Sequence, residues 1–253
     1  MEKDLFRKVY KQVSGLALKN CPPSSLSGLL HGYLSVYSMV RVYPWLEDEY
    51  GSLWDIHDRI REIARVIQEL LKDRDLPVDT RAGYVVDLMD AYLLYSDMKF
   101  LDAALDAAYE ILIPKGSDKM VLPCRTPNIC RLLCNCYYLT GEEECIELMR
   151  RLVMEVLGYI RGGKQEVLQE WWEVLCLYRD VIEEMTLPPS ERERLEGELI
   201  RLRVIVGQEE NDRIDLFLQI GEDTGVELMV IVFDILARRE FEKLNIMCGG
   251  KKV

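Results

Sequence analysis

Five of the chain's eight cysteines lie in one short stretch whose residue types could bind a metal ion or carry out redox chemistry. The stretch, CRTPNICRLLCNCYYLTGEEEC, runs from Cys124 to Cys145 with the spacing C-x5-C-x3-C-x-C-x8-C. Zinc and iron–sulfur sites usually gather their ligands through short loops such as C-x2-C, which this stretch lacks. At about 100° per helical residue, Cys130 and Cys134 share a face and Cys136 points away from them. We therefore interpret these cysteines as reduced thiols that pack as small apolar side chains, and we predict no bound metal or other cofactor.

Two other interpretations of the cysteines stay open. One is a metal site built from Cys124, Cys130 and Cys134 with a ligand from elsewhere in the chain. The other is redox chemistry, since free thiols can be oxidised reversibly.

A second candidate for chemistry is an acidic pair. Asp87 and Asp90 lie one helical turn apart, and two carboxylates can perform acid–base chemistry on a glycosidic bond. Two acids on one helix are more often a solvated edge or capping groups, and that interpretation is favoured here. The chain has no P-loop, dinucleotide-binding glycine pattern, HExxH or G-x-S-x-G sequence.

The dominant spacing of apolar residues along the chain is helical, so helices must position any functional site. Apolar residues recur every three or four positions at Leu53, Ile56, Ile60, Ile63, Ile67 and Leu70. Similar stripes begin at Leu101, Cys145 and Leu195, which predicts four amphipathic helices with one buried face. A more apolar segment precedes each of them, at about 25–43, 81–95, 126–139 and 165–184, and is interpreted as an inner helix.

Start and stop signals agree with these helices. Thr126-Pro127 predicts an N-cap, and Ser190 with Glu193 and Thr224 with Glu227 can form capping boxes. Gly162-Gly163 and Pro188-Pro189 are expected at helix ends. A further helix is predicted at 2–19 and a helical pair at 210–244, and VELMVIVFDIL near the end is interpreted as a buried helix rather than a strand.

The chain also resembles itself. The segments at 93–112 and 136–157 align with about one gap, each with a polar turn between an aromatic-rich helix and a returning helix. A spacing near 45 residues indicates one inner and one outer helix per repeat. We predict a single all-α domain, residues 1–253, made of consecutive antiparallel helical hairpins in an α/α arc or partial toroid.

SSLSGLLHGYLSVYSMV at 24–40 is similar to the repeat of lanthionine synthetase C-like proteins, and TRAGYVVDLMDAYLLY at 80–95 echoes it. The resemblance extends to the six-hairpin glycosidases, which share the α/α-toroid plan, and tetratricopeptide-like solenoids are a competing family. It implies a ring or arc of hairpins. The zinc site of the cyclases needs a cysteine directly followed by a histidine, and neither His31 nor His57 follows a cysteine.

If the hairpins repeat, all inner helices start at one end of the assembly. Helix N-termini carry partial positive charge, and arginines near them add to it. This end is the predicted binding site for a ligand, with an aromatic wall. The candidate residues are His31, Arg81, Tyr84, Arg125, Asn128, Trp171 and Trp172. The alternative is that the arginines pair with local acids.

Composition limits the possible partners. The formal net charge is −12, and basic residues are interspersed with acidic ones, so nucleic acid and anionic membranes are not expected as partners. The residues near Met1 are charged and lack the apolar core of a secretory signal, which predicts a cytoplasmic protein.

Two functions are carried forward from the sequence. The leading hypothesis is a non-catalytic helical-repeat protein that binds a peptide, a protein or a small anionic or carbohydrate ligand. The alternative is a divergent α/α-toroid enzyme acting on a modified peptide or a saccharide.

Overall fold

The fold is all-α. A computed structural model of the chain describes residues 2–160, 168–182 and 188–247, and within these ranges there is no β-strand. In the described part of the chain the α-helices are α1 Glu2–Ser14, α2 Leu26–Val42, α3 Glu47–Tyr50, α4 Leu53–Leu70, α5 Val78–Tyr95, α6 Met98–Leu112, α7 Pro127–Thr140, α8 Glu143–Ile160, α9 Leu168–Ile182, α10 Pro189–Ile220 and α11 Val226–Met247. Short 3-10 turns occupy Leu18–Asn20, Pro23–Ser25, Pro44–Leu46 and Gly221–Asp223. None of the described helices has the length and apolarity needed to cross a membrane.

The chain divides into two compact units. Unit 1 consists of Met1–Glu69 together with Glu210–Val253, and unit 2 is Leu70–Glu209. The boundary at 209/210 falls within α10, so this helix contributes to both units. The expectation of one domain over 1–253 stays a prediction.

Unit 1 is organised around α11. This helix packs against α2 and α1, which lie at the other end of the sequence. An aromatic cluster fills the contact, with ring centroids 5.3 Å apart for Tyr33 and Phe233 and 5.2 Å apart for Phe6 and Tyr50. The segment VELMVIVFDIL is thus a helix, as predicted from its pattern, and its residues Val232 and Phe233 are buried.

An ionic network also joins the chain-distant parts of unit 1. The buried carboxylate of Glu210 on α10 accepts from Arg238 at 3.2 Å and from Arg239 at 2.9 Å. Arg239 also donates to Glu2 on α1 at 3.2 Å, and Lys243 donates to the same carboxylate. Ionic contacts therefore join α1, α10 and α11.

Unit 2 contains the repeat seen in the sequence. Helix α5 packs against α6, α7 packs against α8, and the two inner helices α5 and α7 contact each other. Both hairpins turn through a residue in the left-handed conformation, Ser96 at φ 53° and Gly141 at φ 73°. These residues are 45 positions apart, the spacing predicted from the sequence. Helix α7 in turn contacts α9.

Several predicted boundaries were wrong. The first helix ends at Ser14 rather than near 19, because the chain turns there into a separate 3-10 segment. The predicted break before 210 does not exist, since α10 runs unbroken through Gly207 to Ile220. One interior glycine costs a helix only about 1 kcal/mol, which packing can offset.

The two capping boxes were also wrong. Helix α10 begins at Pro189, so Ser190 is already helical, and the carbonyl of Pro188 accepts from the backbone of Glu191 at 2.9 Å. Helix α11 begins at Val226, one residue later than a Thr224 cap requires. The Glu227 carboxylate instead accepts from Ser24 at 2.7 Å. The expected stop at Gly162-Gly163 lies outside the described residues.

Candidate functional site

The two inner helices of unit 2 run parallel and meet along a polar face. Asn128, at the start of α7, donates to the backbone carbonyl and the carboxylate of Asp79, at the start of α5, both at 3.3 Å. Near the other end, Asn135 donates to Asp90 at 3.4 Å. The earlier residue of α5 pairs with the earlier residue of α7, and the later with the later, so both helices start at the same end, as predicted. We call this contact the α5–α7 seam and define it by Asp79, Gly83, Asp87, Asp90, Asn128 and Asn135.

Local sequence explains how the seam is aligned. Helix α7 starts at Pro127, whose ring fixes a helical φ, and the Thr126 hydroxyl accepts from the backbone of Ile129 at 3.4 Å. This cap places Asn128 in the first turn of α7. Asp79 holds the equivalent place in the first turn of α5, and so the amide and the carboxylate meet.

A glycine lets the two helices approach closely. A Cβ added at Gly83 would lie 3.3 Å from the amide nitrogen of Asn128, a tight contact. Gly83 lies on the same face of α5 as Asp79 and Asp87, because these residues follow one another at four-residue steps. The seam therefore combines a close backbone approach with polar side chains on either side of it.

The acidic pair lies on this face. Asp87 is buried, while Asp90 is half-buried and bonded to Asn135. Burial, with a smaller contribution from the Asp87 charge, raises the pKa of the Tyr84 hydroxyl above its ordinary value. The seam thus carries a carboxylate inside the unit and a second carboxylate that reaches solvent one turn further along.

The two predicted arginines point toward the outer helices. Arg81 donates to Glu110 on α6 at 3.0 Å, and Arg125 donates to Glu155 on α8 at 2.5 Å. The second oxygen of Glu110 accepts from Arg74 at 2.6 Å. Each arginine therefore pairs with an acid in the last turns of the returning helix of its own hairpin. An anionic ligand at this end has to displace Glu110 or Glu155, and the predicted anion site stays a prediction.

The remaining candidate residues are spread over the chain. His31 is half-buried on α2 in unit 1. Trp171 is buried on α9 and Trp172 is half-buried, which agrees with the expectation that neighbouring helical residues diverge. The seam thus includes Asn128 from the predicted set, whereas Arg81 lies on the opposite side of α5, against α6.

The seven described cysteines are free thiols, five of them buried in addition to the partly exposed Cys124 and Cys176. The eighth, Cys248, lies outside the described residues. In the described ranges, no group of three or more His, Cys, Asp or Glu side chains is arranged to hold a metal ion. Cys124, Cys130 and Cys134, the alternative metal site considered from the sequence, are therefore not arranged as such a group in the described part of the chain.

Sequence reasoning missed part of the seam. Asp79 and Asn135 were not among the candidates, and the acids Glu110 and Glu155 were not identified as partners of the arginines. The available signal was the repeat itself, since Asp90 and Asn135 are 45 residues apart, as are Glu110 and Glu155. Polar residues at matching repeat positions face each other when inner helices stack in parallel.

No protein-family model matches the chain, and no curated protein or solved structure matches it significantly either.

Proposed function

We propose that the protein is a non-catalytic helical-repeat protein that binds a saccharide or a peptide at the α5–α7 seam. The observation that carries the proposal is the pair of amide–carboxylate contacts, Asn128 with Asp79 and Asn135 with Asp90, repeated along two parallel helices. Amides both donate and accept hydrogen bonds, and carboxylates accept them, so together they match the hydroxyls of a sugar or the backbone of a peptide.

The charge of the seam directs the choice of ligand. Asp79, Asp87 and Asp90 all lie on the α5 side, whereas Arg81 and Arg125 are engaged by Glu110 and Glu155. A neutral or basic polar ligand therefore suits this face better than an acid. Among the partners expected from the sequence, this favours a carbohydrate or a peptide segment over a small anion.

Arrayed saccharides and a peptide library, probed with the purified chain, test this proposal. The double variant Asn128→Ala, Asn135→Ala should bind the best hit roughly thirtyfold more weakly, since two hydrogen bonds contribute about 1 kcal/mol each. The matched control is Gln219→Ala, which removes an exposed amide from α10 in unit 1. Equal affinity of the double variant and the control would show that the seam is not the binding site.

The acidic pair supports a second candidate, a saccharide-cleaving α/α-toroid enzyme. Asp87 is buried one turn from the half-buried Asp90, and glycosidases act through a pair of carboxyl groups. Incubating each saccharide hit with the protein and measuring reducing ends tests this function. Product formation that is lost in both Asp87→Asn and Asp90→Asn favours the enzyme, and binding without product favours the non-catalytic protein.

A further inference from the structure

The α5–α7 seam continues past the Asp90–Asn135 contact to two exposed side chains. Leu93 follows Asp90 by three residues on α5, and Tyr138 follows Asn135 by three residues on α7. Leu93 is 53% exposed and Tyr138 is 71% exposed. Each lies one helical turn, about 4.5 Å along the axis, beyond the polar residue on its own helix. We call these four residues the Tyr138 surface.

The repeat shows that these residues share one side of the two helices. Two pairs of positions separated by 45 residues meet across the seam: Gly83 with Asn128, and Asp90 with Asn135. Parallel helices whose equivalent residues meet turn the same face in the same direction. Leu93 and Tyr138 are also 45 residues apart, and each follows its polar neighbour at a helical spacing. The two exposed side chains therefore adjoin the Asp90–Asn135 contact on one surface.

The polar part of the Tyr138 surface has the capacity to bond to a ligand. Asn135 donates one N–H to Asp90 at 3.4 Å, which is longer than the common N–H···O distance of about 2.9–3.0 Å. An amide has a second N–H and an acceptor oxygen, and a carboxylate accepts several hydrogen bonds. Both residues are half-buried, so their side chains reach solvent. The pair can therefore bond to the hydroxyl groups of a ligand.

The charges near this surface favour an uncharged ligand. Asp90 contributes a negative charge from α5. Arg131, which is half-buried, lies one helical turn before Asn135 on α7 and contributes a positive charge. A neutral ligand with several hydroxyls can donate to the carboxylate and accept from the cation without bringing a charge of its own.

The common modes of peptide binding do not suit this surface. Strand addition needs the edge of a sheet, and the described ranges of the chain contain no β-strand. A helical or proline-rich peptide needs an extended apolar or aromatic groove, whereas Asp90 and Asn135 make half of this surface polar. A saccharide instead carries hydroxyls around its edge and C–H groups on the faces of its ring. It thus combines the two chemistries that the surface presents side by side.

We propose that the Tyr138 surface is a saccharide-binding subsite, in which a neutral sugar ring stacks on Tyr138 while its hydroxyls bond to Asp90 and Asn135. The face of an aromatic ring is negative and attracts the C–H groups of the sugar. The spacing of about 4.5 Å between Asn135 and Tyr138 along α7 is close to the width of one sugar ring. This inference rests on the proposed binding function and narrows its ligand from a saccharide or a peptide to a saccharide.

Calorimetric titration of the full chain with short neutral oligosaccharides of glucose, galactose, mannose and N-acetylglucosamine tests the subsite. Tyr138→Ala should bind the best of these sugars roughly tenfold more weakly, because it removes the stacking ring. Tyr138→Phe keeps the ring and should bind as the wild-type protein does. The matched control is Trp54→Ala, which removes a 75% exposed ring from α4 in unit 1 and should leave the affinity unchanged. Circular dichroism checks that each variant is folded.

Saturation-transfer NMR provides a second measurement that reports stacking itself. Irradiation of the aromatic protons of the wild-type protein should saturate the C–H protons on one face of the bound sugar most strongly. The same pattern is expected in Tyr138→Phe, and it should be lost in Tyr138→Ala. A pattern that is unchanged in Tyr138→Ala would overturn the subsite, whatever the affinity of that variant.

Asn135→Ala separates a failure of this inference from a failure of the proposed function. Weaker sugar binding by Asn135→Ala, with wild-type affinity in Tyr138→Ala, would overturn the stacking subsite and leave binding at the seam intact. Hits from the peptide library alone, weakened by Asn135→Ala, would overturn the saccharide assignment in the same way. Wild-type sugar affinity in both variants, or binding of neither saccharides nor peptides, would overturn both proposals.

Discussion

The ring of Phe233 on α11 lies against the backbone of Gly32 on α2, in the space that a side chain at position 32 would occupy. A Cβ on Gly32 would lie 2.4 Å from the nearest ring carbon, far inside normal contact distance. The ring is itself enclosed, with centroids 5.3 Å from Tyr33 and 6.3 Å from Phe6. The close contact between α2 and α11, which lie almost at opposite ends of the sequence, therefore requires a residue without a side chain at position 32.

Gly32→Ala should lower the free energy of unfolding by about 1–3 kcal/mol, the usual cost of overpacking a filled core. This loss is expected although alanine stabilises a helix by about 1 kcal/mol relative to glycine. Gly28→Ala is the matched control, because its Cβ would meet Val230 at 3.3 Å and the same helix gains the same propensity. Urea denaturation of both variants measures the difference, and equal effects would contradict the packing described.

Ile60→Ala should destabilise the protein by about 2–5 kcal/mol, because the side chain lies in a filled core. Ile60 is 0% exposed, in agreement with the face assigned from the sequence, whereas Ile200 on α10 is 72% exposed. The same substitution at Ile200 should change the free energy of unfolding by less than about 0.5 kcal/mol. A similar fall in unfolding midpoint for both variants would show that the exposure of Ile200 is wrongly assigned.

Replacing the two arginines of the repeat should have unequal effects. The Arg81 side chain is 11% exposed and that of Arg125 is 60% exposed, although both pair with a glutamate of the returning helix. Arg81→Met should cost about 1–3 kcal/mol, because it leaves the Glu110 carboxylate without a partially buried partner. Arg125→Met should cost less than about 1 kcal/mol, as is usual for exposed ion pairs. Thermal unfolding of the two variants compares them directly, and a larger loss for Arg125→Met would contradict the structure.

The contact of α1 with α11 should weaken in acid. Hydrogen bonds from Lys243 and Arg239 lower the pKa of Glu2 below its ordinary value of 4.5, against the opposing effect of burial. A carboxylate with a lowered pKa in the folded state stabilises the fold above about pH 4.5, and this contribution is lost as the pH falls through the folded pKa. Glu2→Gln should therefore lower the unfolding midpoint at neutral pH and have a diminishing effect below pH 4.5. Glu242→Gln, an exposed acid on α11, is the control, and a Glu2→Gln effect that persists unchanged in acid would contradict this assignment.

Periodicity predicted most of the helices correctly, and one of the three capping signals marked a true helix start. The stripe through Ile60 and Ile63 identified a buried face, and Thr126-Pro127 identified the start of α7, because both features depend only on neighbouring residues. The repeat of about 45 residues also appeared in the sequence, since the turns at Ser96 and Gly141 have similar composition. These features are local, and local physical chemistry is what a single sequence records most directly.

Contacts between distant residues could not be predicted in the same way. The residues around Gly32 do not predict a contact with Phe233, because that contact depends on how the surfaces of α2 and α11 fit together. Similarly, helical angles show that Cys134 shares a face with Cys130, but they do not show that the sulfur of Met149 on α8 meets the Cys134 thiol. The common starting end of α5 and α7 was therefore predicted from the sequence, while the partners of the two arginines were missed.

The division of unit 1 into two separated segments has a consequence for how the chain folds during synthesis. Once residues 70–209 have left the ribosome, all of unit 2 is present, and its helices can assemble as a continuous stretch. At that stage α1 and α2 have already left the ribosome, but α11, which packs against both of them and carries the ring of Phe233, has not been made. Helices α1 and α2 therefore emerge before unit 2 but are completed after it, and their apolar faces lack their α11 partner until that helix has left the ribosome.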